Sequence, residues 1–210
     1  MAVGRNRLHS NKRFAARYNK TVCNLGGAIR LFNGGDNMTG HDQRSWKLHI
    51  RKDNLKFSAA HMTVFPDGSK ESLHGHNYEV TLEVELTDPT LAQMLSYASF
   101  KQALRSVCDS WDEKVLLAGA NPWFILLPGP EGEYNFRLCG KRYVLPMDEV
   151  AILDVDNITV ENLTQLFFER FWHVLTQDQA VSWRERILAA RLRIDESRGQ
   201  GATYSVRFNC

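Results

Sequence analysis

Three histidines carry the first indication of chemistry. His74 and His76 flank Gly75 in the segment ESLHGHNY, and an alternating apolar pattern follows at once. Residues at i and i+2 of a strand project from one face, so both imidazoles can reach a single ion. His61, upstream, closes the segment FSAAH in phase with Leu55, Phe57 and Ala59. Three imidazoles with one position left for water or substrate form the donor set of a catalytic zinc centre. Copper, iron or nickel would accept the same donors, so the ligand set is read more firmly than the metal. Two strand histidines without the third would be ordinary surface residues.

The elements that must position these side chains follow from periodicity. Trp46, Leu48 and Ile50 alternate with Lys47, His49 and Arg51, which predicts a half-buried strand. The triplet Lys52-Asp53-Asn54 shifts the phase through a bulge, after which His61 faces the apolar side. Tyr78, Val80, Leu82, Val84 and Leu86 alternate with polar residues, and the same parity extends back to His76 and His74. Asp88 and Pro89 read as the cap and first position of a helix carrying Leu91, Met94, Leu95, Phe100, Leu104, Val107 and Trp111. Residues 112–158 read as irregular apart from a hairpin over 134–145 that turns near Gly140. Thr159 caps a second helix, and two strands end the chain on either side of SRGQG. The fold class is therefore α+β: a four-stranded antiparallel sheet with two helices on one face. Its two open edges would be protected by pairing with other copies.

Composition narrows the rest. The chain has 210 residues, 43% hydrophobic and 24% charged, with a formal net charge of +2. That suits one globular domain, 46–210, with a segment at 118–158 inserted in it. No apolar run reaches the roughly 18 residues that a membrane helix needs, and no nucleic-acid partner is expected. The cysteines, Cys23, Cys108, Cys139 and Cys210, form no CxxC pair, which argues against a disulfide framework and for a reducing, cytoplasmic setting. Residues 1–45 form a basic, glycine-rich arm, because seven Arg and Lys residues precede the first acid, Asp36. An organellar address is the alternative reading of that arm.

FSAAH (57–61), HGHNY (74–78), TVENL (159–163) and Asp195-Glu196-Ser197 stand in an order that resembles the 6-pyruvoyl and 6-carboxy-tetrahydropterin synthase family. The resemblance covers about 46–208. It implies a tunnelling fold, whose subunits close into trimeric barrels that stack as hexamers, with active sites between subunits. It implies Zn2+ on His61, His74 and His76. It also implies Glu196 as anchor of the pterin ring, since a carboxylate can accept two parallel hydrogen bonds from the ring's amino group and neighbouring N–H. Glu161 helps hold that ring or, equally, stabilises a helix N-terminus.

Three departures qualify the resemblance, the long segment 118–158 being one of them. The family's cysteine ahead of HGH is missing, and Glu71 instead matches a branch carrying ExxHGH. That branch is implicated in shortening the side chain of dihydroneopterin triphosphate to 6-hydroxymethyl-7,8-dihydropterin. The family's Asp-His pair becomes Asp112-Glu113, lowering the ordinary pKa of the second partner by about two units. The expected catalytic set is Glu71, Asp112 and Glu113, acting on a pterin triphosphate. Two alternatives stand beside it: a 6-carboxy-tetrahydropterin synthase of deazaguanine synthesis, and a non-catalytic pterin- or purine-binding barrel.

Overall fold

The structure is a computed structural model that describes residues 45–208, except 87, 89, 91–94 and 178–182. The described residues belong to the unit Gln43–Cys210. Residues 1–44 of the expected arm lie outside them.

The chain runs β1 (Trp46–His61), β2 (His74–Leu86), α1 (Tyr97–Trp111), β3 (Lys114–Ala118), β4 (Phe124–Leu127), β5 (Glu133–Leu138), β6 (Lys141–Pro146), β7 (Val150–Leu153), α2 (Val160–Thr176), α3 (Trp183–Arg186), β8 (Ile187–Ser197) and β9 (Gln200–Arg207). The long alternating segments pair as antiparallel β1–β2–β8–β9. Helices α1 and α2 pack on this sheet, α1 against β1 and α2 against β8 and β9. The bulge in β1 sets residues 52–55 opposite the single residue Val80. Buried positions accordingly switch from even (Ile50) to odd (Leu55, Phe57, Ala59, His61).

Two parts of the chain differ from expectation. Helix α1 starts at Tyr97, capped by Ser96, whose Oγ accepts from the Ala98 N–H at 3.2 Å. Asp88 instead accepts from the Thr90 N–H at 2.8 Å, a local turn of the kind Asp favours. Leu91 and Met94 fall outside the described residues. The 112–158 segment is also more ordered than its pattern suggests. Its hairpin is β5–β6, turning on Cys139 (φ 50°) and Gly140 (φ 77°), two left-handed positions as a tight primed turn requires. Strands β3 and β7 add in parallel to the β1 edge, extending the sheet to six strands in the order β7-β3-β1-β2-β8-β9. Parallel strands often read as short apolar runs without alternation, so KVLLA, buried at Leu116, Leu117 and Ala118, and the edge strand VAIL carry no period to detect.

Strand β3 separates two cores. Leu116 enters the main one, with Phe57, Tyr78, Leu82, Phe100 and Phe167; its neighbour Leu117 enters a second, with Met62, Val64, Phe136 and Leu138. The main core is organised around Phe57, which stacks on Tyr78 (4.7 Å between centroids) and Phe167 (6.2 Å) and meets the edge of Trp111 (5.5 Å). Phe167→Ala at this fully buried junction should lower unfolding free energy by about 3–5 kcal/mol in urea denaturation. A loss under about 1 kcal/mol would show that helix α2 does not depend on that contact.

Candidate metal centre

Pairing of β1 with β2 assembles the site. His61 lies opposite His74, and Ala59 opposite His76, so three imidazoles share the helix-facing side at one end of the two strands. Their candidate ligand atoms lie within 4.8 Å of one another. Ring centroids are 4.6 Å apart for His61–His74, 5.3 Å for His61–His76 and 4.9 Å for His74–His76. Gly75, between two ligands, holds β2 close to β1: a Cβ there would stand 3.3 Å from the Ala59 carbonyl oxygen.

The hydrogen bonds around the triad fix its chemistry. His61 Nδ1 is 3.0 Å from the Ile158 carbonyl and His74 Nδ1 is 2.9 Å from the Ser72 carbonyl. A carbonyl can only accept, so both Nδ1 atoms carry hydrogen and each Nε2 presents a lone pair. This is the arrangement by which outer hydrogen bonds orient metal-binding imidazoles. His61 is 3% exposed, and its Nε2 is buried with no hydrogen-bond partner. Burial holds the His61 pKa below its ordinary value, so the ring stays neutral and ligand-ready. An orphaned buried acceptor costs about 1–3 kcal/mol unless a ligand satisfies it. The residues therefore fit a zinc ion.

Glu71 is the candidate catalytic residue that the fold brings to the triad. Its Oε2 lies 3.9 Å from His74 Nε2 and accepts from the Thr63 N–H at 3.4 Å, while its own N–H donates to the Thr63 carbonyl at 3.0 Å. Hydrogen bonding from Thr63, aided by His74 and His61 and opposed by partial burial, lowers its pKa, so it is a carboxylate at neutral pH. Thr63 and the carbonyls of Ser72 and Ile158 carry no distinguishing mark in sequence, because backbone carbonyls have no residue signature.

The other expected residues stand on neighbouring elements. Glu196 is half-buried where the β8–β9 register slips, on the face of Leu192 and Ile194. Together with Glu71 it disfavours ionisation of Tyr78, whose pKa is raised chiefly by burial and whose hydroxyl has no partner. Asp112 caps α1, and its Oδ1 accepts from the Ser58 N–H at 2.7 Å. Glu113, held at φ 57°, lines a cleft of about 350 Å³ with Ser58, His76, Asn77 and Lys114. Neither acid shares a hydrogen bond or ion pair with the triad among the described residues. Glu161 is exposed in the first turn of α2, which fits a helix-dipole role. No described thiol replaces the missing cysteine: Cys108 is buried in the main core, its pKa pushed up to about 12 by desolvation, and Cys139 sits in the β5–β6 turn.

Among the described residues no helix is long and apolar enough to cross a membrane. The profile of the family described as 6-pyruvoyl tetrahydropterin synthase matches residues 49–206. A putative 6-carboxy-5,6,7,8-tetrahydropterin synthase of Methanocaldococcus jannaschii is 27% identical over 155 residues, covering 71% of this chain and 89% of the relative. The 6-pyruvoyl tetrahydropterin synthase of Plasmodium vivax superposes with a TM-score of 0.70 at 18% identity, over 78% of this chain and 99% of that one. A variant of the Plasmodium vivax enzyme, with alanine in place of a glutamate named as a catalytic residue, superposes with a TM-score of 0.70 at 17% identity, over the same shares.

Purified protein stripped of metal should take up one zinc ion per chain, measured by calorimetric titration. Removing a ligand should cost more than the about 10–100-fold typical of outer-shell losses. His61→Ala and His74→Ala are expected to abolish stoichiometric uptake, and full retention in either would dismiss that histidine as a ligand. Protons compete with metal for imidazole, so affinity should fall on acidification, with His61, whose pKa is depressed by burial, the ligand that stays neutral below the usual imidazole range.

Proposed function

The chain belongs to the 6-pyruvoyl tetrahydropterin synthase family of pterin lyases, and from that premise we propose that it is a zinc-dependent lyase that shortens the side chain of dihydroneopterin triphosphate to give 6-hydroxymethyl-7,8-dihydropterin. The observation that carries this reading is the Glu71 carboxylate 3.9 Å from His74 Nε2, in a segment from Met62 to Leu73 that contains no cysteine. A glutamate is likewise named as a catalytic residue in the Plasmodium vivax enzyme.

Zinc held by His61, His74 and His76 supplies Lewis acidity that lowers the cost of deprotonating a side-chain hydroxyl. Glu71, ionised by its Thr63 hydrogen bonds, accepts that proton at Oε2 from the hydroxyl on the second side-chain carbon. The bond between the first and second carbons breaks, and its electron pair moves into the ring's C=N system. The second carbon leaves as an aldehyde that keeps the phosphates. The proton returns to the first carbon, so no oxidant or reductant is consumed. Glu196 accepts paired hydrogen bonds from the pterin, helped by Glu161, and the reacting carbon is thereby positioned. Asp112 and Glu113 form a second relay. In a homo-oligomeric barrel, trimer or hexamer, they serve a neighbouring copy's site.

The archaeal relative's name supports a second reading, 6-carboxy-tetrahydropterin formation, against which the missing thiol speaks. Incubation with dihydroneopterin triphosphate and zinc, followed by mass spectrometry of products, separates the readings. A hydroxymethyl pterin is expected. A carboxylated pterin would establish the second reading, and a pterin bound but unaltered would exclude both. Glu71→Gln should reduce kcat by about 10²–10⁴-fold with zinc content preserved; undiminished turnover would remove Glu71 from the mechanism.

A further inference from the structure

The segment joining β1 to β2 carries Glu71, and Asn157 holds that segment from outside. The Asn157 carboxamide oxygen accepts from the Val64 N–H at 3.0 Å, and its Nδ2 donates to the Val64 carbonyl at 2.8 Å. A side-chain amide thus makes both bonds that a neighbouring strand residue would make. The same oxygen accepts from the Ile158 N–H at 3.1 Å, fixing the residue whose carbonyl receives His61 Nδ1–H at 3.0 Å and the Thr63 hydroxyl at 3.4 Å. Val64 in turn bridges to Lys70, next to Glu71; the Glu71 N–H donates to the Thr63 carbonyl, and the Glu71 carboxylate accepts from the Thr63 N–H. One carboxamide therefore sits at the junction between the histidine that is most buried and the carboxylate that faces the triad. Asn162 steadies it from behind, donating to the Asp156 carboxylate at 2.9 Å and to the Asn157 carbonyl at 3.0 Å.

The inserted strands brace the same segment on its other side. Trp123 packs on the turn at Gly68, where φ is +81° and a Cβ would lie 3.1 Å from the indole nitrogen. The Lys70 ammonium donates to the Glu71 carbonyl at 2.8 Å and lies 5.3 Å from the centre of the Tyr143 ring. Met62 and Val64 are buried in the second core with Phe136 and Leu138.

We infer that Asn157 is a positioning residue for this site: it holds Glu71 and the His61 imidazole in one frame, and the insertion maintains that frame. The inference rests on the reading of Glu71 as proton acceptor. Two variants test it in the full chain. Asn157→Ala removes all three contacts; Asn157→Asp keeps the acceptor and loses the bond to the Val64 carbonyl. Hydrogen exchange of residues 62–71 should quicken at least about tenfold in Asn157→Ala and less in Asn157→Asp. The visible spectrum of the cobalt(II)-loaded protein should shift, reporting an altered His61. With dihydroneopterin triphosphate, kcat should fall at least about tenfold while KM stays within about twofold. Unchanged exchange and an unchanged cobalt spectrum would overturn the inference, and so would faster exchange with kcat unaltered. If Asn157→Ala does not fold, Asn157→Asp decides alone. If the wild-type protein leaves dihydroneopterin triphosphate intact, the proposed function fails, and the exchange and cobalt measurements still judge the clamp.

Discussion

The triad depends on a phase change in one strand. A strand has a side-chain period of two, so a one-residue slip moves every later side chain to the other face. Along β1, Ile50 is inward at an even position, and His61 is inward only because residues 52–55 bulge against Val80. Without that irregularity His61 would point away from the helices, and His74 and His76 would have no third partner. The bulge also lets Leu55, Phe57 and Ala59 enter the core as a continuous apolar row. One local deformation thus serves packing and ligand placement together.

Packing on both sides of β3 then gives the site its rigidity. The main core, with Phe57 stacked between Tyr78 and Phe167, holds the strand ends from which the imidazoles project. The second core, around Phe136 and Leu138, holds the segment that leaves β1 after His61 and returns as β2. Leu116 and Leu117 belong to one core each, so neither layer can shift without the other. The Glu71 carboxylate stands on a loop, a mobile kind of element in general. Here the loop is held by an amide clamp, an indole and an ammonium above a tyrosine ring.

Electrostatics assign complementary states to the neighbouring groups. Burial keeps His61 neutral, and Thr63 keeps Glu71 ionised. A neutral His61 can offer its lone pair to a cation while the carboxylate nearby can accept a proton.

Alternation alone determined much of this protein: the four long strands, the inward faces of His61, His74 and His76, the hairpin at Gly140 and the helix capped by Thr159. These are local signals, because a pleat or a helical turn imprints its period on neighbouring residues. Glu71 was marked only by the resemblance of ExxHGH to one branch of the family. What only tertiary structure decided was non-local. Strands β3 and β7 are short apolar runs without alternation, and the true start of α1 lies at Ser96 rather than Asp88. The partners that set the tautomers of His61 and His74 are backbone carbonyls, which every residue possesses. Asn157 reads in sequence as one more polar residue before a helix; its role exists only because folding brings Val64, distant along the chain, within hydrogen-bonding distance of its amide.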